Sequence, residues 1–198
     1  MLTVCVGQDD ENRPEQIAAI LPLAGEDYVC RDCQLSYLNV RAERAVEVIS
    51  SLPSLVREAT LALPVEVRHQ RPQPATWSVV EYTCHLRDVY ATYTIRLHRT
   101  RTEEQPVLEP MLNDLRARRF RYNERDLDAV LDELAANAAG FCEEIARLGP
   151  SDWDRTATRL PGERRTALWH VRQAMHEGVH HLRDIQSVGA AVSRAARR

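Results

Sequence analysis

The sequence predicts an all-α protein, a four-helix bundle with a short N-terminal extension. Three observations carry that prediction. Four stretches place apolar residues at helical spacing between recognisable caps, and no segment alternates as a half-buried strand would. A phrase built on Glu and His sits in one of these stretches and returns almost unchanged in another. Long proline-containing connections separate the stretches, as in bundles that carry crossover links.

Residues 1–36 read as the extension. Asp9-Asp10-Glu11-Asn12, Pro14 and Cys30-Arg31-Asp32-Cys33 leave it too little periodic apolar surface for a core of its own, so it is expected to pack on the bundle. Residues 37–190 carry the bundle, and 191–198 form a basic tail that frays from Arg194. The first helix covers 41–63 with a break at Ser51-Leu52-Pro53, where Ser51 caps a fresh start that tolerates proline in its first turn. Pro64, Pro72 and Pro74 mark a connection. Ser78 and Glu81 then form a capping box that opens the second helix, running to about Arg101. A link through Pro106 and Pro110 holds a short helix near 111–120. Asp126 caps the third helix, whose Leu127, Val130, Leu131, Leu134, Ala138, Phe141 and Ile145 keep helical spacing up to Gly149-Pro150. Thr166 caps the fourth, which runs to Val188 and stops at Gly189.

The 198 residues suit one domain with a full core. At 44% hydrophobic and 28% charged, the composition is that of a soluble globular protein. A net charge of −3 offers no general attraction to nucleic acid, and no apolar run is long enough to span a bilayer. The expected location is the cytoplasm, and the expected partners are a small-molecule substrate and, among proteins, a second copy of the chain. The 26 basic residues are all arginine. Without lysine there is no Schiff-base chemistry and no phosphate-loop lysine. Arginine without lysine also points to a GC-rich bacterial genome.

The chemistry lies in the repeated phrase, Glu81-x-x-x-His85-Leu86-Arg87-Asp88 and Glu177-x-x-x-His181-Leu182-Arg183-Asp184. Residues four apart share a helix face, so two such faces turned together can close around a metal ion. The second copy is denser, reading His176-Glu177-Gly178-Val179-His180-His181. His176 to His180 matches the zinc-protease pattern H-E-x-x-H, but the 17 residues after His181 offer neither the His nor the Glu a third ligand would need. On the helical wheel Glu177 and His181 flank the apolar stripe on one side, and His176 and His180 lie on the other. His85 holds the position on the second helix that His181 holds on the fourth. Glu81 is a candidate to orient His85 and equally the capping partner of Ser78.

Cys30-x-x-Cys33 is half of a zinc knuckle, with no second C-x-x-C to complete it. Cys5 is the one further cysteine nearby, and reduced thiols are the default for five cysteines in a chain with no export signal.

Trp77-Ser78-x-x-Glu81-x-x-x-His85-Leu86, followed by His180-His181-Leu182-x-x-Ile185, resembles the DinB/YfiT-like superfamily of metal-binding four-helix bundles over residues 40–190. The resemblance implies a divalent metal held by one His of the second helix and two residues, i and i+4, of the last. His85 matches the first. Aligning on the His-His-Leu ending gives Glu177 and His181 for the others, with Glu177 where the family usually has His; the alternative register uses His176 and His180. Zinc is the expected metal, with nickel or iron in reach of the same ligands. The resemblance further implies a thiol S-transferase or isomerase that presents a small thiol such as mycothiol to an electrophile. Arg87, Arg172 and Arg183 are candidate anchors for the thiol's polar groups, or else solvated helix charges. The rival expectation is a non-catalytic metal-binding or stress-associated protein. No catalytic residue beyond the ligands is assigned.

Overall fold

The structure, a computed structural model, describes residue 20 and residues 22–197. Cys5, the acidic run at 9–12 and Pro14 lie outside the described residues, as does Arg198.

Helix α1 spans Ala42–Leu61 without a break and contains Pro53, contrary to the expected interruption. Ala45, Ile49, Leu52, Val56 and Thr60 form a single buried stripe across the proline, and burying that stripe outweighs the lost backbone hydrogen bond. The hydroxyls of Ser50 and Ser51 donate to the carbonyls of Glu47 and Val48, supplying donors beside the proline turn. A four-residue helix α2, Val65–Arg68, interrupts the following connection.

Helix α3 spans Val79–Thr102 and opens on the expected capping box, with Ser78 Oγ accepting from the Glu81 N–H and Glu81 Oε2 accepting from the Ser78 N–H. The short helix α4 covers Asn113–Arg119. Helix α5, Leu127–Ala146, starts at Asp126, whose carboxylate accepts from the Ala129 N–H at 2.8 Å. The loop beyond it closes as a small antiparallel hairpin of β1, Thr156–Thr158, and β2, Arg164–Thr166. Thr166 then caps helix α6, Ala167–Ala195, through the Trp169 N–H.

The four long helices pack in a closed ring, α1 on α6, α6 on α3, α3 on α5 and α5 on α1. Tyr90, Phe141, Leu86, Leu97, Leu131, Leu134 and Ile185 fill the space between them. Helix α6 continues past Gly189, where a stop was expected, and reaches Ala195, so the expected fraying from Arg194 begins later, with Val192 buried. Gly189 is explained by close approach instead, because a Cβ there would meet Leu63 Cδ1 at 2.7 Å. Gly178, in the middle of α6, is constrained the same way, with a Cβ only 2.5 Å from the Tyr90 hydroxyl.

The described part of the extension lies against α6 and the hairpin. Glu26 accepts from the Thr166 N–H at 2.8 Å, and the buried Trp169 donates its indole N–H to the Gly25 carbonyl at 3.2 Å. Arg165 adds a bond to the Ala24 carbonyl at 2.6 Å. Beyond these contacts Val29 pairs antiparallel with Ser36, and the intervening Cys30–Cys33 turn rests on the middle of α6. Among the described residues no helix is long and apolar enough to cross a membrane.

Candidate metal centre

Packing of α3 on α6 brings the two matched histidines together, with the His85 and His181 rings 4.8 Å apart and edge to face. Glu177 stands between them. Its Oε2 lies 3.3 Å from His85 Nε2 and 3.2 Å from His181 Nε2. Metal–ligand bonds of about 2.0–2.1 Å at tetrahedral angles put neighbouring ligand atoms about 3.3 Å apart, so Glu177 Oε2 already stands at that spacing from each imidazole nitrogen, and all three ligand atoms lie within 4.8 Å of one another. The residues fit a divalent metal with at least one position left open.

The surroundings fix each of these groups. Asp184 Oδ2 takes the other imidazole nitrogen of His181 at 2.8 Å, leaving Nε2 toward Glu177. Gln173 donates its amide to Glu177 Oε1 at 2.6 Å, leaving Oε2 toward the histidines. The Trp77 ring covers His85 at 5.3 Å and the Tyr82 ring covers His181 at 5.4 Å. His85 is fully buried, and its Nδ1 has no hydrogen-bond partner.

Burial dominates the electrostatics but does not always win. It lowers the pKa of His85, against the opposing pull of Glu177. Burial would raise Glu177, yet its hydrogen bonds to His181 and His85 hold the carboxyl well below its ordinary range. For His181 burial again favours the neutral ring, but Asp184 and Glu177 outweigh it and raise the pKa to about 9. Without a metal, a proton on His181 balances the Glu177 carboxylate.

The two copies of the repeated phrase have diverged in use. Glu177 faces the imidazoles, but Glu81 does not orient His85. Its oxygens are engaged by the Ser78 N–H and by the Arg71 guanidinium, with Arg71 Nε donating at 2.7 Å. The reason is position: Glu81 lies in the first turn of α3, where the capping box claims it, whereas Glu177 is mid-helix. The aspartates differ likewise. Asp184 serves His181, while Asp88 is buried under Arg87, Arg116 and the Tyr122 hydroxyl, and their hydrogen bonds overcome burial to lower its pKa.

His176 and His180 do not reach this centre. They face the Cys30–Cys33 turn, which covers their flank of α6. The expected thiol anchors are engaged elsewhere. Arg87 pairs with Asp88 and Glu133, Arg172 donates to the Val40 carbonyl and Arg183 to the Asp32 carbonyl. His170 is buried against Tyr93 and Trp169, and burial lowers its pKa to about 3. Sequence reasoning missed Asp184 and Gln173, although each stands at a spacing that reaches its partner, i+3 from His181 and i−4 from Glu177.

Comparison with known proteins agrees with this architecture. A protein of Oceanobacillus iheyensis, provisionally named as a metal-dependent hydrolase, is 25% identical over 150 residues, covering 76% of this chain and 87% of its own length. YfiT from Bacillus subtilis, described as a probable metal-dependent hydrolase with an unusual four-helix bundle topology, superposes with a TM-score of 0.72 at 17% identity. That superposition covers 86% of this chain and 94% of YfiT. Residues 36–185 match the DinB superfamily, and the chain belongs to that family.

Proposed function

We propose that this chain is a metal-dependent hydrolase whose metal is held by His85, Glu177 and His181. The observation that carries this reading is the convergence of His85 Nε2 and His181 Nε2 on Glu177 Oε2, at 3.3 and 3.2 Å. Zinc suits two imidazoles and a carboxylate best, with nickel and iron(II) as further candidates. A divalent metal bound there supplies a Lewis acid that lowers the pKa of a coordinated nucleophile and polarises an electrophile.

The protein's own groups prepare that role. Asp184 fixes the His181 tautomer so that the Nε2 lone pair faces inward. Gln173 does the same for one Glu177 oxygen by engaging the other. Trp77 and Tyr82 wall the two imidazoles and keep bulk water from their faces. Glu177 and His181 remain partly exposed, so a small substrate approaches from their side while His85 closes the floor.

Water as the nucleophile accords with the names of both relatives. Transfer of a small thiol such as mycothiol is the alternative, and it requires anchors that Arg87, Arg172 and Arg183 do not provide in their present bonds. Metal analysis of the wild type and His85→Ala, with turnover of a panel of activated esters and amides, tests the reading. His85→Ala should lose the metal of this centre and its activity, and wild-type turnover should need metal but no thiol. Unchanged metal content in His85→Ala would refute the ligand set. Strict dependence on added thiol would move the reaction to S-transfer.

A further inference from the structure

We propose that Cys30, Cys33, His176 and His180 form a second metal site, a closed structural centre of the Cys2His2 type that takes zinc and fastens the extension to helix α6. The four side chains come from two places far apart in the chain. Each offers one ligand atom, and all four atoms lie within 4.8 Å of one another. Cys30 Sγ is 3.6 Å from His180 Nδ1. With Zn–S near 2.3 Å and Zn–N near 2.05 Å, a sulfur and a nitrogen on one tetrahedral zinc stand about 3.6 Å apart.

The cysteine turn is built as a metal knuckle. The Gln34 N–H donates to the Cys30 carbonyl at 2.9 Å, and the Cys30 N–H to the Leu35 carbonyl at 2.9 Å. Gln34 follows the second cysteine with φ of 60°, a left-handed conformation that costs a non-glycine residue about 1–2 kcal/mol. That conformation wraps the backbone around the sulfurs. Cys30 accepts from the N–H groups of Cys33 and Asp32, and Cys33 accepts from that of Leu35. Such bonds offset thiolate charge in a buried site, and Cys30 and Cys33 are both buried. Arg183 ties the turn down by donating to the Asp32 carbonyl at 3.0 Å.

The histidines carry the independent sign of a missing ligand. His176 is buried, its Nδ1 is held by the Tyr37 hydroxyl at 3.1 Å, and its Nε2 has no hydrogen-bond partner. A buried imidazole nitrogen left bare is costly unless something coordinates it. His180 turns Nδ1 toward Cys30 and its other nitrogen toward Asp184, at 3.7 Å. Each histidine therefore has an outer partner on the nitrogen that faces away from the sulfurs, which is how metal-binding imidazoles are held.

The site differs in kind from the centre at His85. It has four protein ligands, two of them sulfur, and no open position, so its role is structural. Helix α6 carries two interleaved i, i+4 pairs, His176 with His180 for the knuckle and Glu177 with His181 for the other centre. Tyr37 links them through Gln173, and Asp184 faces a histidine of each.

Cobalt(II) titration of the full-length reduced protein, stripped of metal, tests the proposal. The wild type should bind two equivalents, one of which brings the intense near-ultraviolet absorption of a thiolate–cobalt bond. Cys30→Ser/Cys33→Ser should bind one equivalent without that absorption, whereas His85→Ala should bind one equivalent and retain it. The two centres thus fail separately. If the double variant does not fold, a mercurial reagent on the zinc-loaded wild type should release one zinc in step with modification of Cys30 and Cys33, followed by mass spectrometry of the labelled peptides, and not with that of the other three cysteines. Absence of thiolate–cobalt absorption in the wild type, or a Cys30–Cys33 disulfide that persists in reductant without bound metal, would overturn it.

Discussion

Replacing Asp184 with Asn leaves the shape of the candidate centre almost unchanged and alters one charge. In the wild type the carboxylate is 2.8 Å from His181 Nδ1 and 3.7 Å from His180 Nε2. Outer carboxylates of this kind typically contribute 10–100-fold to metal affinity, about 1.4–2.7 kcal/mol, by fixing the tautomer and raising ligand basicity. The same carboxylate also strengthens a competitor. Asp184, ahead of Glu177, raises the His181 pKa to about 9, so at pH 7 a metal must first displace a proton. Two pH units of proton competition amount to about 2.7 kcal/mol. Apparent affinity in the wild type should therefore rise about tenfold per pH unit up to pH 9 and then level off. Asp184→Asn lowers both metal and proton affinity. Its full 10–100-fold loss should appear above pH 9, and a smaller loss at pH 7, where weaker proton competition gives part of it back. Chelator-competition titrations at pH 7 and 9.5, with NMR titration of His181, measure both effects. A loss greater at pH 7 than at 9.5, or no loss at either, would show that Asp184 does not support His181 as a ligand. The longer distance to His180 makes the knuckle the less affected of the two centres.

Two further outcomes test the fold around the site. Glu81→Ala removes half of a capping box and the partner of Arg71, so it should cost about 1–3 kcal/mol in denaturant unfolding while leaving metal content intact. Metal loss in that variant would return Glu81 to the centre. Gly178→Ala should gain up to about 1 kcal/mol in helix propensity but place a methyl 2.5 Å from the Tyr90 hydroxyl and 2.7 Å from Leu52 Cδ2. Overpacking of about 1–3 kcal/mol should win, read as a lower melting temperature by circular dichroism, and a rise would show that α6 and α1 have room to separate.

What could be read from the sequence was set by how local each signal is. Ser78 with Glu81, Asp126 and Thr166 announce helix starts because a cap and its N–H partner lie within one turn. The register of Glu177 against His85 and His181 follows from helical geometry and one shared apolar stripe. Pro53 and Gly189 misled because their local preference yields to distant packing, the stripe of α1 in one case and Leu63 in the other. The paired phrase suggested symmetry, but capping removed Glu81 from it. The knuckle was hidden for the opposite reason: Cys30 and Cys33 are separated from His176 and His180 by most of the bundle. The sequence held two halves of a four-ligand set, and only the return of the extension onto α6 joins them.

In the proposed centre one divalent metal sits among His85, Glu177 and His181. Anomalous diffraction at the metal's absorption edge, on crystals grown without chelator, tests it most directly. A peak is expected within bonding distance of His85 Nε2, Glu177 Oε2 and His181 Nε2. Crystals whose anomalous scattering lies only at other residues, with no peak between those three atoms, would contradict it.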